Sequence, residues 1–190
     1  FMSHNLDNIK KFSVGFSEDS EMRISEARVT LDDRGPKTSA VLCRKGEEFN
    51  VSCSLFGLQH ANNIGYACAA AELLGVSISE AAKGISEMMP LGGRGLCKRS
   101  ASGGWVIDEA YNANPASVGA AIENVRAAAE SLGLQKYAVL GGMRELGESA
   151  PEWHGDILGK VSDFDNVLLT GEEWRSCGAL SENARIFSSL

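Results

Sequence analysis

The sequence predicts an α/β protein in which a strand-rich segment and two helices lead into a second unit of alternating strands and helices. Three observations carry this reading. Residues 11–56 hold short apolar or alternating runs set off by Gly- and charge-containing turns, and residues 60–89 carry apolar and small residues at helical spacing. Beyond Pro90-Leu91-Gly92-Gly93, strand-like and helix-like runs succeed one another. With 190 residues, 44% of them hydrophobic and 23% charged, the chain can bury two small cores. The boundary falls at the Pro-Gly break, giving units 1–90 and 91–190.

The elements follow in order. Residues 24–31 alternate with period two, and residues 40–42 and 49–55 are short apolar runs bounded by Arg34-Gly35-Pro36 and Lys45-Gly46-Glu47-Glu48. They predict a small antiparallel meander. From residue 60, Ile64, Ala67, Cys68, Ala71 and Leu74 recur every three or four positions, a helix that Gly75 is placed to end. Ser77 with Glu80 three residues on is a capping-box signature for a second helix, to about residue 89. In the second unit Trp105-Val106-Ile107 predicts a strand, and Asn114-Pro115 opens a helix. Its buried stripe is Val118, Ile122, Val125, Ala129 and Leu132, ending at Gly133. Residues 137–140 and 167–169 predict further strands around a helix at 151–161. Strands separated by helices imply a parallel, doubly wound sheet. Ligands of such sheets bind beyond the carboxyl ends of the strands, here residues 108–114, 141–147 and 170–171.

Charge and cysteine usage narrow the partners. Eighteen Lys and Arg face 25 Asp and Glu, a net of −7 that the two halves share as −3 and −4. Neither half is a basic arm, which argues against nucleic acid or an anionic membrane as partner. The five cysteines form no C-x-x-C pair and read as reduced thiols. With no apolar stretch of membrane-spanning length and no signal-like start, the sequence points to the cytoplasm.

Residues 107–115 place Asp108, Glu109, Tyr111, Asn112 and Asn114 in one turn between strand and helix. Capping explains Asn114 alone; the other four suggest that a polyhydroxyl or cationic group is held there. Gly92-Gly93-Arg94-Gly95 sits at the unit boundary, so Arg94 is either a solvated hinge residue or a guanidinium that swings onto a phosphate when domains close. Gly141-Gly142-Met143-Arg144-Glu145-Leu146-Gly147 follows a strand without being a P-loop, and His154 lies on the next helix. His60 and Asn63, near a helix N-terminus, suit a phosphate or a base edge. No G-x-x-x-x-G-K-[ST] loop, metal-ligand spacing or nucleophile elbow occurs in the chain.

At these residues the chain resembles the Mur ligases, most closely the type that adds D-alanyl-D-alanine (D-Ala-D-Ala) to UDP-N-acetylmuramoyl-tripeptide. Residues 107–115, I-D-E-A-Y-N-A-N-P, are similar to the family's I-D-D-S-Y-N-A-N-P, and residues 139–147 with His154 resemble V-L-G-D-M-x-E-L-G followed by His. Gly57 and Asn63 look like the ends of G-x-H-N-x-x-N, and Asn5-Leu6-Asp7-Asn8 like N-A-D-D. The resemblance implies that residues 1–90 are the later part of an ATP-binding central domain and residues 91–190 most of a Rossmann-like C-terminal domain with a mainly parallel sheet. The triphosphate loop would precede Phe1, and a further strand and helix would follow Leu190. It also implies an ATP-dependent ligase that activates a peptide carboxylate as an acyl phosphate for attack by an amine, with Mg2+ on the phosphates and its ligands mostly outside this chain. Carried over by position, Arg94 and Glu109 would be catalytic, and Asn63, Arg94, Asp108, Glu109 and Asn114 would bind ATP. Tyr111, Asn112 and His154 would bind substrate, with no metal ligand here and a monomeric state. Three positions depart from the pattern: Glu109 stands for Asp, Gln59-His60 shift the His of G-x-H-N by one, and Gly142 removes the carboxylate of G-D-M. Two alternatives stay open: a related ligase using another amino acid or folate, and a non-catalytic nucleotide-binding module.

Overall fold

A computed structural model describes residues 11–187. The Asn5-Leu6-Asp7-Asn8 motif therefore lies outside the described residues. The first half is a four-stranded sheet, ordered β1 (Val14–Gly15), β2 (Met22–Asp32), β3 (Gly35–Arg44), β4 (Glu47–Cys53). The short β1 runs parallel to β2, and the longer strands form the expected antiparallel meander. A one-residue bulge between Ile24 and Glu26 shifts the register. Because side chains alternate with period two, the inserted residue moves the inward positions from Met22 and Ile24 to Ala27 and Leu31. That face, with Ala40, Leu42, Val51 and Cys53, packs against α1 (Gln59–Leu73) and α2 (Ile78–Ser86) through Ile64, Cys68, Ile78 and Ile85. Burying each of the larger side chains stabilises by about 1.5–3 kcal/mol.

The entry to α1 is fixed from two sides. Thr38, fully buried on β3, points its hydroxyl at the carbonyl oxygens of Leu55 (2.8 Å) and Gly57 (3.2 Å). No side chain of α1 itself caps the helix. Instead Asn124, from the other half, accepts from Leu58 N–H at 3.1 Å and donates to Gln59 Oε1 at 2.9 Å. In α2 the reciprocal Ser77–Glu80 capping box is formed. This helix stops at Ser86, short of the expected residue 89. The amides of Glu87 and Met88 turn back to Gly84 and Ile85 at i−3, and Pro90 disfavours helical geometry in the residue before it.

In the second half, β5 (Leu96–Arg99) and β6 (Trp105–Asp108) form an antiparallel hairpin. The strand at 105–107 was expected in the parallel sheet, and the structure corrects this. Only residues 100–104 separate it from β5, too few for the crossover of a dozen or more that a parallel pair needs. The parallel sheet comprises β7 (Tyr137–Gly141), β8 (Asn166–Thr170) and β9 (Ala184–Phe187) in sequential order. Its strand order does not reverse, so the doubly wound arrangement is not seen among the described residues. Helices α3 (Pro115–Leu132) and α4 (Ala150–Lys160) supply Ile122, Ile157 and Leu158 to a second core with Val161, Val167, Leu169 and Trp174. Around its rim, Asp163 pairs with Arg126 (3.0 Å) and Lys136 (2.6 Å). No helix of the described residues is long and apolar enough to cross a membrane.

Candidate nucleotide and substrate site

The hinge turn at 91–95 and the turn after β6 are laced together by backbone. Asp108 is the centre of the lacing: its Oδ2 accepts from Gly93 N–H (3.0 Å), its Oδ1 from Ala110 N–H (3.1 Å) and its carbonyl from Gly95 N–H (2.9 Å). The reverse bond, Tyr111 N–H to the Gly93 carbonyl at 3.1 Å, closes the clasp. Asp108 therefore uses its carboxylate on the hinge itself, a structural task the motif did not disclose. Gly95 sits where three segments meet. A β-carbon there would lie 3.3 Å from the Phe56 carbonyl oxygen and 3.4 Å from Glu109 Oε1, and its φ of +74° belongs to the left-handed region. This junction brings the Glu109 carboxylate to the backbone that leads into α1.

Arg94 and Glu109 remain available for other work. The Arg94 guanidinium is exposed and lies over the Tyr111 ring, 3.9 Å from its centroid. Burial pushes the Glu109 carboxyl above its ordinary value, and the charge of Asp108 adds to this, while the Gly95 amide and Arg94 act in the opposite sense. A half-buried carboxylate beside an exposed guanidinium can receive hydroxyl donors and an anionic group respectively.

The other expected site residues divide. Asn112 is exposed, with its Oδ1 turned onto Ala113 N–H (3.0 Å). Asn114 caps α3, its Oδ1 accepting from Ser117 N–H (2.9 Å) while Ser117 Oγ accepts from Asn114 N–H (3.1 Å). Its side-chain oxygen is thereby committed to the helix, and what it offers a ligand is its Nδ2. Asn63 is exposed on α1, its amide 3.5 Å from His60 Nδ1, and burial lowers the His60 pKa. His154 is a correction. Its side chain was expected to touch substrate, but it is fully buried, with Nδ1 donating to the Ala150 carbonyl (2.7 Å) and Nε2 accepting from Met143 N–H (3.0 Å). A carbonyl only accepts, so this pairing fixes the neutral Nδ1–H tautomer, and the ring pins the 141–147 loop from below. Among the described residues no group of three or more His, Cys, Asp or Glu is placed to hold a metal ion. Sequence reasoning missed Asn124, whose midhelix amide carried no local signal, and the role of Gly95, which the repeated glycines of the hinge did foreshadow.

Comparison with known proteins accords with this geometry. The family described as "Mur ligase, glutamate ligase domain" matches residues 93–187. The chain is 36% identical over 130 residues to the UDP-N-acetylmuramoyl-tripeptide–D-alanyl-D-alanine ligase of Bacillus subtilis, covering 67% of this chain and 28% of that protein. The Synechocystis enzyme of the same name is 32% identical over 123 residues, 63% of this chain and 26% of its relative. Among solved structures, MurF from Acinetobacter baumannii superposes with a TM-score of 0.77 at 23% identity, covering 94% of this chain and 37% of that one. MurF from Thermotoga maritima in complex with ADP gives 0.73 at 21% identity, covering 93% and 38%. The chain thus spans about a quarter to two fifths of the length of these relatives, and the structural likeness extends across both of its halves. With the hinge clasp, the turn after β6 and the parallel sheet all inside or beside the matched region, the chain belongs to the Mur ligase family.

Proposed function

We propose that this chain is part of an ATP-dependent ligase that joins D-Ala-D-Ala to UDP-N-acetylmuramoyl-tripeptide in peptidoglycan precursor synthesis. The observation that carries the reading is the clasp between the hinge turn and residues 108–111, which leaves Arg94 and Glu109 free at one junction. In this reading residues 1–90 complete an ATP-binding central domain and residues 91–190 form the ligase domain of a cytoplasmic, monomeric enzyme. The site's chemistry suits a nucleotide: Glu109 would accept from ribose hydroxyls, Arg94 would meet phosphate oxygens, and the exposed amide of Asn63 would meet the base. ATP supplies the phosphoryl group that activates the peptide carboxylate. Mg2+ would be held outside the described residues. Tyr111 and Asn112 would border the pocket for the incoming amine, and Asp108 and Asn114 would keep that edge in shape.

The test uses the full-length product of the gene that encodes this chain. Incubated with ATP, Mg2+, UDP-N-acetylmuramoyl-tripeptide and D-Ala-D-Ala, it should release phosphate in step with a new amide product. D-Ala-D-Ala should outcompete single amino acids as the amine, and folate should not replace the nucleotide peptide as the carboxylate. Residues 1–190 alone should be inactive. Phosphate release by residues 1–190 dependent on both substrates would overturn the assignment of this chain as one part of the catalytic unit. Tight ATP binding by the full-length product without any ligation would favour a nucleotide-binding module.

A further inference from the structure

Gly142 and Gly171 are the first residues beyond the neighbouring parallel strands β7 and β8, and Gly142 N–H donates to the Thr170 carbonyl at 2.9 Å. Over this floor folds the side chain of Glu173. A β-carbon added at either glycine would overlap Glu173 Oε2, and one at Gly142 would also press on Glu173 Cβ at 3.2 Å. The glycines thus make room for a carboxylate that arrives from the loop after β8. Its position is built rather than incidental. Trp174, 1% exposed, packs edge-on to the His154 ring (centroids 4.6 Å apart), and His154 Nε2 holds Met143 N–H at 3.0 Å. One buried cluster therefore fixes both the loop that carries Gly142 and the loop that carries Glu173.

The upper side of this carboxylate is open. Its side chain is 32% exposed, and its cationic neighbour Arg144 stands 3.9 Å away on a side chain that is 86% exposed. Among the described residues no hydrogen bond reaches the Glu173 carboxyl oxygens. The family-like motif has an Asp at 142 whose carboxylate Gly142 removes, and in the structure the Glu173 carboxylate reaches the space beside that position. We propose that Glu173 receives the ammonium group of the amine substrate and positions it at the carboxyl ends of β7 and β8. The assignment deepens the ligase reading and rests on it, since the amine substrate of that reaction carries an ammonium group at neutral pH, and a partly exposed carboxylate with a loose partner is the complement of that group. Positions 142 and 173 then address the same space above the glycine floor, and a side chain at 142 would have to displace the Glu173 carboxylate from it.

The test pairs kinetics with a titration. In the full-length product Glu173→Gln should raise KM for D-Ala-D-Ala about tenfold, the scale of one hydrogen bond to a charged group, with KM for ATP nearly unchanged. Gly142→Asp alone should be impaired by the overlap, and Gly142→Asp combined with Glu173→Ala should recover acceptor KM relative to Glu173→Ala. An unaltered acceptor KM in Glu173→Gln, or a double variant no better than Glu173→Ala, overturns the proposal. Separately, the 13C shift of the Glu173 carboxyl should saturate on adding D-Ala-D-Ala to the full-length product and stay still with its N-acetylated form; equal responses overturn the proposal too. A full-length product that forms no amide bond sinks the ligase reading by itself, and the titration still decides the role of Glu173.

Discussion

The guanidinium of Arg94 rests on the face of Tyr111, 3.9 Å from the ring centroid, although both side chains are exposed. A cation–π contact at such a site contributes only about 0.5–1 kcal/mol, so Tyr111 orients the arginine without locking it. Tyr111→Ala should lower ligation turnover about two- to fivefold, and Tyr111→Phe should preserve it. Arg94→Ala should cost far more, on the order of a hundredfold in turnover, if the guanidinium meets phosphate charge in the transition state. Its unfolding free energy should shift by no more than about 0.5 kcal/mol, as for other exposed positions. Steady-state kinetics beside urea denaturation checks this, and parallel losses in both would return Arg94 to a structural role.

Two glycines of the same hinge should behave differently. Gly95 has a φ of +74° and its missing β-carbon would press on Phe56 and Glu109, while nothing lies within 4 Å of the corresponding point at Gly92. Gly95→Ala should destabilise by about 1–2 kcal/mol through left-handed backbone strain, with the contacts adding to it. Gly92→Ala should be nearly neutral. Urea midpoints of the two variants decide the point, and equal midpoints would mean that the hinge re-forms around the substitution.

Much of this could be read from local chemistry. The Ser77–Glu80 box, the Asn114 cap and the strands at 137–140 and 167–169 each announce themselves within a few residues, because capping and short-period alternation are local signals. The pairing of β6 with β5 could not be read so directly, since four-residue strands look alike whichever sheet they join. The same held for β9. At the site, the cluster at 108–114 was legible as a group, but the division of labour was not. Asp108 spends one carboxylate oxygen on Gly93, a choice that depends on where the 91–95 turn folds, while its bond to Ala110 and that of Asn114 to Ser117 are made locally. Glu173 was hidden for the same reason. Only the tertiary path of the loop after β8 brings it over Gly142, although the absent acid at 142 was a hint that another residue could fill the space.

The rim of the second core offers a pH test. Arg126 grips Asp163 in a fork, Nε to Oδ2 at 3.1 Å and Nη2 to Oδ1 at 3.0 Å, and Lys136 adds a bond of 2.6 Å, holding the Asp163 carboxyl well below the usual carboxylate range. A depressed folded-state value means that the stabilisation is present above the unfolded value, about 4, and is lost as the pH falls below it. The carboxylate is 43% exposed, so solvent and salt weaken the pair. Asp163→Asn should lower Tm at pH 7, and the gap to the unmodified chain should narrow steadily below about pH 4. A gap independent of pH would assign the loss to packing instead of charge.

Glu109 should show the opposite sign. Burial and the neighbouring Asp108 raise its folded-state pKa above the unfolded value, so the fold favours the protonated form. Stability tied to this group is therefore complete at low pH and declines as the pH rises from the ordinary carboxylate value through the raised one. At neutral pH the ionised side chain is held against its own preference. Glu109→Gln, which keeps the shape and removes the charge, should consequently raise Tm at pH 7.5, and the gain should vanish near pH 4. Ligation should move the other way, because an amide is a weaker acceptor for ribose hydroxyls and carries no charge to steer Arg94. A rise in stability accompanied by a fall in turnover is the signature of a residue retained for its chemistry. Thermal melts at the two pH values, run beside the ligation assay, separate this outcome from that of a structural carboxylate, whose removal would lower both quantities together.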